Sequence, residues 1–152
     1  MFGAGYFVRW CAAALLVCAA TACARPASEL TVEELKARLT SASVRERPHL
    51  CVEIAEKQLA ETDKFYAAAE ITQAQGALTD VVAYSEMARD YAIQSHKYQK
   101  QTEIATRGMT RKLTSILHSL AHDDQAAVRD AISRLQRVRD DLLSSMFSKG
   151  AK

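Results

Sequence analysis

Along most of this chain the apolar side chains return every three or four positions, the period of a helix with one buried face. In "LTVEEL", Thr31 is placed to cap a helix, Glu34 to close a capping box, and Leu30 to pack on Leu35 as a hydrophobic staple. A short helix to about Leu39 follows. The next helix is expected to begin around Arg47-Pro48, because proline is tolerated in a first turn and not inside. Its apolar face runs through Cys51, Ile54, Ala55, Leu59, Thr62, Phe65 and Tyr66, and the face that resumes with Ile71, Ala74, Leu78 and Val81 predicts a hairpin about Ala69 and Glu70. From Ile71 the helical pattern continues to about His122, roughly 50 residues or about 75 Å. A helix of that length predicts a spine, with any break sought at Gly108 or within His96 to Glu103. "HDDQ" reads as a turn in which Asp123 or Asp124 caps the last helix. That helix carries the seam Val128, Ala131, Ile132, Leu135, Val138, Leu142 and Met146, which faces Ala105, Met109, Leu113, Ile116, Leu117 and Leu120 across an antiparallel hairpin.

These elements predict an all-α fold of elongated antiparallel helical hairpins built around one long central helix. Composition agrees: after the first residues the chain is rich in Ala, Gln, Glu, Lys, Arg and Leu, all good helix formers, and strand signals are absent. Both prolines, Pro26 and Pro48, fall in the first third. The length suits one domain, and no 34-residue period marks a helical repeat.

The start of the chain follows a different pattern. Trp10 to Ala24 is an unbroken run of small and apolar residues behind a single cation, Arg9. It is too short to cross a bilayer comfortably and is expected to be a secretory leader. A general signal peptidase could use Ala20 and Ala22, or Ala22 and Ala24. Ala20-Thr21-Ala22-Cys23 also resembles the bacterial lipoprotein box, which implies lipidation of Cys23 as the new N-terminus. The expected organisation is a signal peptide over 1–22, a tether over 23–30 and one helical domain over 31–148. Cys11 and Cys18 would leave with the leader. Cys51 would then be the one free thiol, on the apolar side of its helix and therefore buried.

Net charge is +2, but it is unevenly spread. From Cys23 to Asp90, 8 Lys+Arg stand against 12 Asp+Glu, a balance of −4; from Tyr91 to Lys152, 11 stand against 6, a balance of +5. Arg107, Arg111 and Lys112 are expected near Arg134, Arg137 and Arg139, as an anion- or partner-binding face or as a solvated face neutralised by Asp130, Asp140 and Asp141. Tyr84, Tyr91 and Tyr98 recur every seven residues. That spacing gives either a core seam whose hydroxyls reach its rim, or a docking strip for a partner helix, a second copy or a sugar polymer.

Other chemistry is sparse. His118 and His122 stand four apart, with Asp123 and Asp124 beside them, but there is no HExxH frame and no third histidine nearby, so no metal site is expected. No phosphate loop, nucleophile elbow or paired cysteines occur, so neither catalysis nor a cofactor nor a small-molecule substrate is expected. Export and the lack of a binding motif disfavour nucleic acid. The expectation is an exported envelope protein, lipid-anchored to a membrane, facing the periplasm or exterior and acting as a scaffold or adaptor through a protein partner or self-association. The alternative is a helical periplasmic chaperone or stress sensor, since "LTVEEL" resembles the LTxxQ motif of such proteins with Glu34 in place of glutamine. A metal-binding helical protein comes third.

Overall fold

Thr31 caps the first helix as its chemistry demands. Its hydroxyl accepts from the Glu34 N–H at 3.2 Å, while the Glu34 carboxylate accepts from the Thr31 N–H at 2.7 Å. The computed structural model describes residues 30–148, so the leader, Cys23 and nearly all of the tether lie outside the described residues. Helix α1 spans Val32–Ser41, α2 Arg47–Ala67, α3 Ile71–Ser95, α4 Gln99–Ser119 and α5 Gln125–Phe147, with a 3-10 turn at His122–Asp124. The described residues are helical and contain no strand. None of these helices is long and apolar enough to cross a membrane.

Between α2 and α3 the chain reverses through a complete Schellman turn. The Glu70 N–H donates to Phe65 O at 2.8 Å and the Ala69 N–H to Tyr66 O at 3.1 Å. Ala69 takes the left-handed position at φ 59° that glycine usually fills. The expected hairpin about Ala69 and Glu70 is therefore present.

The single helix expected from Ile71 to about His122 is two helices. It breaks at His96–Tyr98, where His96 (φ 55°) and Tyr98 (φ 60°) both adopt left-handed backbone, and α4 runs back along the bundle. Gly108, the other expected weak point, sits within α4 in open space. Burial explains the reversal. Two left-handed non-glycine residues cost about 2–4 kcal/mol together. Folding back lets Met109, Leu113 and Ile116 of α4 share one core with Leu78 and Val81 of α3, and each such side chain is worth about 1.5–3 kcal/mol.

The result is a four-helix bundle of α2 to α5 with α1 laid against it. Arg47–Tyr91 and Gln58–Asp80 contacts set α2 antiparallel to α3, and Gln99–Ser145 and Glu103–Arg139 set α4 antiparallel to α5. Lys112–Asp63 ties α4 alongside α2, and Arg134–Glu86 ties α5 alongside α3. The main core joins Ala55, Leu59, Leu78, Val81, Leu113, Val128 and Leu135. A smaller cluster of Ala92, Val138 and Leu142 continues it toward the His96–Tyr98 end. Helix α1 is held by Leu35, fully buried against Leu50 and Ile54, with the staple residue Leu30 packed beside them. Lys36 and Gln58 both donate to Asp80 Oδ2, at 3.0 and 2.9 Å, and so lock α1, α2 and α3 together.

The start of α5 differs from expectation. Asp124 is its N-cap residue, yet no side-chain cap bond forms. Asp124 is already in right-handed helical backbone (φ −90°, ψ −6°) because the 3-10 turn feeds straight into α5, so the extended geometry that aims a capping carboxylate is missing.

Candidate functional site

Two surfaces carry the residues singled out by the sequence. The first is the tyrosine stripe. Tyr84 and Tyr91 lie on α3, whereas Tyr98 stands in the break before α4, so the seven-residue spacing does not follow one helix. Each ring meets a basic or imidazole side chain from the α1–α2 side. Lys36 Nζ lies 5.4 Å from the Tyr84 ring centre and the Arg47 guanidinium 5.2 Å from that of Tyr91, both within cation–π range. Arg47 Nη1 also donates to the Tyr91 hydroxyl at 3.4 Å. Tyr84 and Tyr91 are half-buried, and Tyr84 packs on both the main core and the α1 core. Tyr98 is 44% exposed and stacks on His49 at 6.2 Å. Of the three rings, Tyr98 is thus the most open to solvent. A crevice of about 430 Å³ opens beside Tyr98, with Arg38, Glu46, His49 and Glu53 in its walls.

The second surface is basic. Arg107 and Arg139 do approach each other, because both reach Glu103 Oε1, at 4.0 and 2.8 Å. Glu103 is only 7% exposed, and its carboxylate relieves the repulsion between the two guanidinium groups. Sequence reasoning passed over this residue. The available signal was a lone acid in the otherwise cationic stretch from Lys97 to Lys112, in register with the buried Thr102 and Thr106. Lys112 turns to α2 and pairs with Asp63 at 2.6 Å. Arg111 is exposed and has no ion pair among the described residues. Arg134 is held at the α3–α5 seam by two bonds to Glu86, at 3.0 and 2.8 Å, while Arg137 is exposed.

Burial and hydrogen bonding shift several further groups. Cys51 is fully buried, and desolvation raises its thiol to about 12, only partly offset by Arg47. The hydrogen bond to Asp80 raises Lys36. Tyr66 is raised by burial and then by Asp124, and its hydroxyl, like that of Thr102, is buried without a hydrogen-bond partner. His118 and His122 are exposed at the end of α4 and in the 3-10 turn, and no group of three or more metal-ligating side chains converges among the described residues. No family model, curated protein or solved structure shows a match to this chain.

Proposed function

We propose that this chain is an exported cell-envelope protein, held to a membrane through lipid on Cys23, whose helical bundle serves as a scaffold or adaptor through protein contacts. The observation that carries this reading is the apolar run Trp10 to Ala24 with Ala20-Thr21-Ala22-Cys23 at its end. The bundle is compatible with an oxidising compartment, since Cys51 is packed away from solvent. Within the tyrosine stripe the contact residue is Tyr98, because Tyr84 and Tyr91 are already covered by Lys36 and Arg47. The crevice beside Tyr98 gives a partner side chain somewhere to seat.

Metabolic labelling with a radioactive fatty acid tests the anchor. The wild-type chain incorporates label and stays with membranes, and Cys23→Ala does neither; label retained in Cys23→Ala refutes the anchor. Tyr98→Ser tests the contact, and it should weaken capture of partners from membrane extracts without lowering the melting temperature. Suppression of the aggregation of unrelated unfolded proteins would favour the chaperone reading instead.

A further inference from the structure

We propose that the outward face of α4 rests on an anionic bilayer surface, with Lys100, Arg107 and Arg111 among the headgroups and Ile104 between them. At 3.6 residues per turn, Lys100, Ile104, Arg107, Arg111 and His118 fall within an arc of roughly 60° and extend over about 27 Å of helix. All five are exposed, and Ile104 is one of few large apolar side chains left in solvent, at 46%. The one acid of α4, Glu103, is buried toward α5 and occupied by Arg139. On the α2 flank Asp63 is occupied by Lys112 and Glu61 by Lys64, while Glu53 and Glu56 stand together beside Lys57, where burial and the Glu53 charge raise Glu56 and so weaken its negative charge. The face therefore presents cations with no carboxylate of its own helix among them. This set differs from Arg107, Arg111 and Lys112 as grouped by sequence: Lys112 turns aside, and Lys100 and Ile104 take its place.

The chemistry of the strip selects a lipid surface over a protein one. Protein interfaces gather aromatic anchors at their centre, with arginine set beside those anchors, and are poor in lysine. Here a single isoleucine is surrounded by long basic side chains whose stems can snorkel toward headgroups. The inference rests on the anchored reading for its proximity to membrane. Seven residues from Cys23 to Leu30 reach at most about 25 Å, and two helix layers are about 20 Å thick, so a bundle tethered at Cys23 stays within touching distance of the surface.

The test uses full chain purified from membranes and its partition onto vesicles of phosphatidylcholine, with or without phosphatidylglycerol. Each cation at an anionic surface is worth about fivefold in partition. Wild type should prefer the anionic vesicles on the order of 100-fold, and about 0.5 M salt should collapse the preference. Lys100→Glu/Arg111→Glu removes two cations that have no ion pair among the described residues, so its melting temperature should hold while the preference falls below about fivefold. An unchanged preference in that variant overturns the proposal. So does a wild-type dimer in sedimentation that the variant converts to monomer, with no vesicle preference in either, which would assign the strip to a second copy. Binding to neutral vesicles reads the N-terminal anchor and the anionic preference reads α4, so either can fail alone.

Discussion

Removing Arg139 and removing Glu103 should have unequal consequences, although the two residues make one ion pair. The Glu103 side chain is 9% exposed, whereas Arg139 and Arg107 are 42% and 44% exposed. In Arg139→Ala the carboxylate stays buried with only Arg107 left, 4.0 Å away. Stranding a fully buried charge costs about 3–5 kcal/mol. Arg107 and partial access of water at this edge reduce the cost here to about 2 kcal/mol, within the range for breaking a charged hydrogen bond. Glu103→Met instead releases two guanidinium groups that solvent already reaches, so the expected cost is below about 1 kcal/mol. The double variant Glu103→Met/Arg139→Met replaces the pair by apolar side chains and should lie close to wild type. Urea unfolding monitored by circular dichroism gives the values, with equal slopes as the check that the unfolded state is unchanged. At about 4 °C per kcal/mol for a domain of this size, Arg139→Ala should melt about 8 °C below wild type. Equal losses for the two single variants, or a larger loss for Glu103→Met, would show that Glu103 is not a desolvated charge and refute the reasoning.

Further expectations concern the turns and the core. Ala69→Gly should stabilise the protein by about 1 kcal/mol in thermal unfolding, since it relieves a left-handed alanine in a Schellman turn that is otherwise complete; a loss of stability would contradict this. Tyr66→Phe should be neutral or stabilising by up to about 1 kcal/mol, because it removes a buried hydroxyl with no partner. Leu135→Ala should cost about 2–5 kcal/mol, as Leu135 is fully buried in the main core. Cys51 should resist iodoacetamide in the native protein and react on unfolding. Burial raises its thiol from the ordinary 9.0 to about 12, so its contribution to stability is complete below pH 9 and is lost as pH rises through about 12. Unfolding free energies measured across that window should fall, and rapid native alkylation at pH 8 would contradict the burial.

Local signals in the sequence mark the element boundaries well. The capping box at Thr31 and Glu34 and the start at Arg47–Pro48 follow from a side chain acting on its own neighbours, the hairpin about Ala69–Glu70 follows from the apolar face that resumes at Ile71, and all appear in the structure. The reversal at His96–Tyr98 is different. Histidine tolerates left-handed backbone better than most residues but tyrosine does not, and the turn forms because the α3 and α4 seams reach a common core only when the chain folds back. That force is tertiary: the polar segment from His96 to Glu103 marks where a break can fall, but nothing in it says that the chain reverses there. The seven-residue tyrosine spacing misleads for the same reason, since Tyr98 belongs to the break. Likewise the crowding of arginines expected from α4 and α5 is resolved by Glu103, whose role depends on which helix α4 faces.

The intact mass of the chain isolated from membranes is the most direct test of the proposed translocation and lipid attachment at Cys23. A polypeptide beginning at Cys23 and carrying the added mass of acyl chains is the expected result. An unmodified chain that still begins at Met1, recovered from the cytosolic fraction, would contradict it.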